Sequence, residues 1–428
     1  MRPTLRPVLL TAGRAATARP ALALGVLVAL LAWACGGPGA PGAPPALVLV
    51  SMDGFRPDYL ERFDTPNLDR LAASGVRAEY LIPAFPTKTF PNHYTIATGL
   101  YPDHHGIVFN DLWDPEWNRW FDRRAVGTPE YDAWWGGEPI WVTARRQGRV
   151  AAAMFWPGTD AEIGGWRPDE WSAYDGSVPD AARVDRVLGW LERQDAARPA
   201  ITTVYFSDTD EAGHEFGPSS PKVGPAVQAL DAIIGRLLDG LEARHLTDQV
   251  DVVVVSDHGM ADTPPDQVVM IDRDTYDPWT DGPLRHPSPL LAFWPPAERL
   301  GSLEERLLRT AAHAKVYRRE ALPERWHLGT NRRVPPLLAV VDEGWTVGTP
   351  ERLAQAVERW SYGQHGFDNA APSMRAIFLA RGPHFRRGLV TPPFENVHLY
   401  ELLCRVLGLT PAPNDGRLDQ VAGMLADQ

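Results

Sequence analysis

The sequence predicts an α/β fold: a parallel β-sheet covered by helices on both faces, with a smaller inserted α+β lobe. Four short apolar runs, Ala46–Met52, Val150–Phe155, Ala200–Phe206 and Asp251–Ser256, have the length and β-branching of strands buried on both sides. Helical periodicities lie between them, so strand and helix alternate at the spacing of βαβ units. Three of the runs end in aspartate: Asp53 after the first, Asp208 and Asp210 after the third, and Asp257 after the fourth.

Ala46–Met52 lies between a proline-rich segment and the turn pair Asp53 and Gly54. Thr65–Ser74 reads as a helix with Leu68 and Leu71 inward. A short helix, Pro91–Ala97, closes at Gly99; proline is tolerated in a first helical turn because its missing N–H would find no partner there. Asp180–Gln194 carries Val184, Val187, Leu188 and Leu191 at helical spacing, and Val223–Ala243 is a long amphipathic helix. From Pro264 to about Val347 the alternation breaks. Strand-like pieces at Val268–Ile271, Leu290–Trp294 and Leu337–Val341 flank one helix, Leu303–Ala314, and together read as the inserted lobe. The doubly wound pattern returns at Met374–Leu379. A final helix, Glu395–Leu407, holds Cys404 as a buried small hydrophobe.

Residues 1–35 read as a signal peptide. Arg2, Arg6, Arg14 and Arg19 precede the apolar run Ala21–Leu31, which is too short for a spanning helix of about 20 residues. The small residues ahead of Cys35 are similar to a bacterial lipoprotein cleavage site. The expectation is an exported protein of the periplasm or cell envelope, with Cys35 a candidate lipid anchor. Residues 36–45 form a Gly/Pro/Ala-rich flexible tether, and residues 46–428 one catalytic domain, expected to be monomeric. The formal net charge is −12, and −16 without the leader (38 basic against 54 acidic residues). So acidic a chain does not read as a nucleic-acid scaffold, and any phosphate it handles must be attracted by something else, such as metal ions.

In an open α/β sheet the ligand site lies beyond the carboxyl ends of the strands. Asp53, Asp208, Asp210 and Asp257 therefore share one edge, with His214 four residues after Asp210, His258 after Asp257, and His365 in a loop before the last sheet strand. Packed unpaired carboxylates repel one another and resist desolvation, and divalent cations relieve both. Asp and His donors without Cys suit zinc. Thr89 falls just before the predicted helix Pro91–Ala97, where N–H groups without intrahelical acceptors make an anion site. Alone it would read as a helix cap. Beside six metal donors, it reads as a hydroxyl aimed at phosphorus. Asp208 is expected to support the metal donors or be structural, and His93 to pack or support the site. His245, His286, His313, His327, His384 and His398 lack acidic partners at ligand spacing.

Six segments carry a family resemblance: Val50–Arg56, Pro86–Asn92, Gly99–Pro102 with His105 and Gly106, Asp210–His214, Ser256–Met260, and Gly363–Asn369. Together they resemble the nucleotide pyrophosphatase/phosphodiesterase family of the alkaline phosphatase superfamily. The likeness covers nearly the whole chain after the tether, and implies an alkaline-phosphatase-like sheet sandwiched by helices and a phosphodiesterase that holds two zinc ions. Thr89 would be the nucleophile, passing through a phosphothreonyl intermediate with net retention at phosphorus. One zinc would be held by Asp53, Asp257 and His258, beside Thr89; the other by Asp210, His214 and His365. Asn110 would donate to a phosphate oxygen, and Phe90 and Tyr174 match positions that sandwich a nucleobase. The expected partner is a nucleotide cleaved to a nucleoside monophosphate. Choline-bearing or lipid headgroup esters, phosphomonoesters and phosphonates remain alternatives on the same scaffold, with a non-catalytic zinc-binding protein more remote. A sulfatase is disfavoured because its nucleophile position needs Cys or Ser, not Thr89.

Overall fold

The computed structural model describes residues 44–193, 195–285, 288–349 and 360–427. The expected signal peptide, Cys35, nearly all of the tether and His286 lie outside the described residues. Eight strands form the central sheet: β1 (Ala46–Met52), β2 (Val76–Ala78), β3 (Ala151–Met154), β4 (Glu170–Trp171), β5 (Ile201–Phe206), β6 (Val250–Val255), β7 (Phe378–Arg381) and β8 (Leu389–Thr391). Their order is β8-β2-β7-β6-β1-β5-β3-β4. β1 lies at the centre, parallel to both β5 and β6. The fold is the expected alkaline-phosphatase-like α/β sandwich.

The main helices are α1 (Pro66–Ala73), α2 (Thr89–Thr98), α3 (Asp180–Leu191), α4 (Asp208–Phe216), α5 (Gly224–Ala243), α6 (Leu300–Thr310) and α7 (Leu399–Leu407). Alternation along β1 feeds two cores. Val48 and Val50 pack with Leu68 and Leu71 of α1, Val184 and Val187 of α3, and Leu230 and Ile234 of α5. Leu47 and Leu49 face the other way, toward Tyr94 and Ile96 of α2 and Leu402 and Leu403 of α7. Period-two side chains with both faces covered explain why β1 reads as an unbroken apolar run.

Two expectations need correction. The Met374–Leu379 run becomes a 3₁₀ turn, Pro372–Met374, then β7, and β7 runs antiparallel to β6 and β2. The chain reaches β7 from the site edge: Gly259 N–H donates to the Met374 carbonyl (2.9 Å) and Ser256 N–H to that of Ile377 (3.2 Å). A strand entered from the carboxyl edge must run back. The predicted helix Leu303–Ala314 is shifted to Leu300–Thr310. His313 adopts a left-handed conformation (φ 64°), and Ala314–Arg318 is a strand paired with Leu337–Val341. That strand belongs to a four-stranded antiparallel sheet, whose Leu291, Phe293, Leu337 and Ala339 pack under Leu303 and Leu307 of α6. The opposite face, with Leu290, Ala292 and Leu338, joins the main core. Cys404 is buried, which pushes its thiol up to about 12. Among the described residues, no helix is long and apolar enough to cross a membrane.

Candidate active site

Register builds the site. Met52 stands beside Phe206 and Ser51 beside Val255, so one or two residues further on, Asp53 and Asp257 end neighbouring strands at one level. Asp53 N–H donates to the Phe206 carbonyl (2.9 Å), and Thr209 Oγ1 to the Asp53 carbonyl (2.6 Å), which fixes the first turn of α4 over the same edge. Gly54 makes the approach feasible: at φ 66° a Cβ there would lie 3.0 Å from the Asp210 Cα. Asp210 and His214, four apart on α4, face one way, with Nε2 3.4 Å from Oδ2.

The three site histidines share one arrangement. Each has Nδ1 against a backbone carbonyl: His214 to Gly363 (2.7 Å), His258 to Gly259 (2.9 Å) and His365 to Thr87 (2.9 Å). A carbonyl only accepts, so Nδ1 carries the hydrogen and the Nε2 lone pair of the neutral ring is left for the site. His258 Nε2 lies 3.0 Å from Asp257 Oδ2 and 3.4 Å from Asp53 Oδ1, and His365 Nε2 lies 3.7 Å from Asp210 Oδ1. The His258 and His365 rings stack at 3.6 Å. Asp53 Oδ1, Asp210 Oδ1 and Asp257 Oδ2 are buried oxygens without a hydrogen-bond partner. Neutral imidazoles facing orphaned carboxylate oxygens are a donor set for divalent cations. The ligand atoms of Asp210, His214 and His365 come within one ion's reach, as do those of Asp53, Asp210 and His258.

Electrostatics points the same way. Burial, then the charges of Asp257 and Asp210, hold the Asp53 carboxyl above its usual range. Burial would raise Asp257 too, but the adjoining His258 and then His93 overcome it and hold it low, and Asp257 in turn raises His258 against the effect of burial, so that without a cation a proton takes its place between them. Burial, then the neighbouring His258, Lys88 and His214, push His365 down.

Thr89 corrects a detail. It is the first residue of α2, with Lys88 as N-cap, rather than the residue before the helix. Its Oγ1 lies 3.4 Å from His258 Nε2. The helix end offers an anion less than expected, because Phe90 N–H already donates to Asn110 Oδ1 (2.8 Å) and Pro91 has none to give. That bond orients Asn110: with the amide oxygen occupied, its NH₂ is the end free to donate. Lys88 is turned away, its Nζ donating to the Ser288 carbonyl (2.7 Å), and burial lowers it to about 7.

A cavity of about 1060 Å³ opens over this edge, lined by Asp53, Thr89, Phe90, Asn110, Tyr174 and Asp210 among others. Phe90 is held edge-on by Phe121 (5.9 Å), and Tyr174 by Phe155 (5.2 Å) and Tyr205 (5.9 Å). Asp257 and His258 lie beneath it, fully buried. Sequence reasoning missed Tyr205, whose hydroxyl donates to Asp53 Oδ2 (2.6 Å). Its signal was a polar tip one residue before the end of an apolar strand. Asp208 contributes to holding up the Asp180 carboxyl, after burial, and is absent from the metal-donor groups.

Such a sheet edge defines an alkaline-phosphatase-like hydrolase architecture. Residues 47–368 match the family described as type I phosphodiesterase / nucleotide pyrophosphatase. The chain belongs to that family. It is 37% identical over 380 residues to an uncharacterized pyrophosphatase/phosphodiesterase of Schizosaccharomyces pombe, covering 86% of this chain and 78% of that one. A venom phosphodiesterase of Crotalus durissus collilineatus is 39% identical over 382 residues, covering 86% of this chain but 45% of the venom protein. The chain thus spans less than half the length of that relative. Murine ectonucleotide pyrophosphatase/phosphodiesterase 5, solved as an inactive threonine-to-alanine variant in complex with AMP, superposes with a TM-score of 0.84 at 34% identity, over 90% of this chain and all of that one.

Proposed function

We propose that this chain is an exported two-zinc phosphodiesterase that hydrolyses phosphodiester or pyrophosphate bonds of nucleotides and releases a nucleoside monophosphate. The observation that carries the reading is the convergence of three orphaned carboxylate oxygens and three Nε2 lone pairs beside the Thr89 hydroxyl. Asp53, Asp257 and His258 would hold one zinc, and Asp210, His214 and His365 the other. Bound zinc would supply Lewis acidity, favouring the ionised hydroxyl and the charge that develops on the phosphoryl and leaving oxygens.

The rest is the work of the chain's own residues. Thr89 Oγ1 attacks phosphorus, the bond to the leaving oxygen breaks, and a phosphothreonyl ester forms. Water then attacks that phosphorus in line and the bond to Thr89 Oγ1 breaks, so two inversions give net retention. The Asn110 NH₂ holds a phosphoryl oxygen in place. Phe90 and Tyr174 offer rings for base stacking, which favours nucleotides without choosing among bases. Complexed AMP in the murine neighbour supports a nucleotide over a lipid headgroup. Lys88 is engaged with Ser288, so it leaves the second charge of a phosphomonoester uncompensated.

The test offers zinc-loaded protein a nitrophenyl nucleotide ester, nitrophenyl phosphate and nitrophenyl phosphorylcholine. Fast turnover of the first alone is expected. Preference for either of the others, or zinc binding with no turnover, overturns the reading. Thr89→Ala should abolish turnover and keep its zinc; loss of zinc instead would make Thr89 structural.

A further inference from the structure

His93 lies beneath the site and has no part in the roles above. Its Nδ1 is 2.8 Å from the Thr89 carbonyl oxygen and 3.3 Å from Asp257 Oδ2, and its Nε2 is 2.8 Å from Ser51 Oγ. The side chain is fully buried, edge-on to Trp156 (4.9 Å) and Tyr205 (5.3 Å). Trp156 Nε1–H also grips the His93 carbonyl (3.1 Å), so ring and backbone are both held.

Asp53, His93 and Asp257 come close enough to suggest a further metal group. His93 cannot serve as a ligand there. Its Nδ1 faces a carbonyl, so it must carry the hydrogen, and a nitrogen that donates has no lone pair left for a cation. In the neutral ring Nε2 is then the acceptor and takes the Ser51 hydroxyl hydrogen. The site histidines turn Nε2 lone pairs toward the carboxylates; His93 turns an N–H toward them.

We infer that His93 is a positioning residue: its single Nδ1–H, bonded to the Thr89 carbonyl and facing Asp257 Oδ2 at 3.3 Å, sets the first turn of the nucleophile's helix against a carboxylate of the metal site, and Ser51 locks the tautomer that makes this work. The inference rests on the roles proposed for Thr89 and Asp257. The hydroxyl and the ligand then move as one body, because the ring that orients Asp257 also folds back on the turn that carries Thr89.

Two substitutions separate the ring nitrogens. In His93→Asn the amide nitrogen can occupy the Nδ1 position; in His93→Gln it reaches the Nε2 position instead. Loss of an outer-shell partner typically costs about 10- to 100-fold in metal affinity or activity. His93→Gln is expected to lose that much in zinc affinity and in kcat, with KM for the nitrophenyl nucleotide ester little changed, and His93→Asn to recover most of both. Equal loss in the two variants, or better recovery by Gln, overturns the inference. Ser51→Ala removes the tautomer lock and is expected to weaken zinc in the same direction, by roughly 3- to 10-fold. If both His93 variants fail to fold, Ser51→Ala decides: wild-type zinc affinity and kcat would overturn the inference. Absence of turnover by the wild-type protein would sink the proposed function instead, while the Asn–Gln contrast in zinc affinity would still read His93.

Discussion

Two buried acidic groups in this molecule have opposite fates. At the lobe junction, the buried Asp114 carboxylate accepts from Arg332 (Nη2 2.8 Å), Arg333 (Nε 2.8 Å) and two backbone N–H groups. Nearby Asp103 accepts from the backbone of Gly329, Thr330 and Asn331 and from the Thr330 hydroxyl. Burial alone would raise both carboxyls, yet these hydrogen bonds hold both below their usual range. At the catalytic edge, Asp53 is held high and oxygens of Asp53, Asp210 and Asp257 lack partners. Saturated carboxylates tie one segment to another. Orphaned ones mark a place where the fold is incomplete without a ligand.

The sharpest break of that contrast is Asp210→Asn. It removes a proposed ligand and also one of the charges that crowd Asp53. With zinc present, kcat should fall by about 10³-fold, the equivalent of several kcal/mol of transition-state stabilisation. In zinc-free protein the same change should raise the unfolding free energy by about 1 kcal/mol, because repulsion is relieved. Steady-state kinetics with zinc check the first effect and urea melts with chelator the second, and a zinc-free variant less stable than wild type would refute the orphan reading.

Chelation comes next. A ligand bound only by the folded state adds about 4 kcal/mol at 1,000 times its dissociation constant. Removing zinc should therefore destabilise the protein by that order per site. Hydrogen exchange should accelerate around Asp53 and Asp210–His214 well before Gly329–Asn331. Uniform acceleration would mean that the two regions are not independent.

The strands that deliver the site were legible because β1, β5 and β6 are unbroken β-branched runs, and an Asp at their ends has one edge to go to. The direction of β7 was not legible: the Phe378–Arg381 pattern is the same run either way, and only the path of the preceding chain sets it. The helix start at Thr89 moved because the extended Lys88 takes the cap position, which no periodicity reports. Tyr205 was hidden for a related reason: it looks like core on its own element and meets its partner only through packing. His93 was expected to pack or support the site, but its partners are likewise set only by packing. The same holds for His384, without an acidic partner at ligand spacing, whose Nδ1 lies 2.6 Å from Asp251 Oδ2 on a strand 133 residues earlier.

The saturated side is tested by Asp114→Asn. Breaking a buried ion pair strands its partner and typically costs about 3–5 kcal/mol. The low end, about 3 kcal/mol, is expected, because Arg332 is partly exposed and can fall back on Glu116, 2.9 Å away, whereas the buried Arg333 cannot. Zinc content should not change. Wild-type stability in denaturant melts would show that the arginines find other partners.

The smallest effect sits at His384 and Asp251, a saturated pair in which the imidazole is bonded to a buried carboxylate. The hydrogen bond to Asp251 outweighs partial burial and raises the His384 pKa above its usual value. The sign follows from the protons: the folded state holds this proton more tightly than the unfolded chain. The pair's charged contribution is therefore complete below the unfolded pKa of about 6.5 and fades as pH rises through the folded value. The imidazole is 22% exposed, so the full contribution is about 1 kcal/mol. His384→Ala should accordingly cost about 1 kcal/mol at pH 6 and clearly less at pH 9, read as the difference between wild-type and variant denaturant melts at each pH. A gap that stays small and flat from pH 6 to pH 9 would mean that Asp251 draws its stability from the backbone N–H of His384 (3.1 Å), which alanine keeps, rather than from the ring.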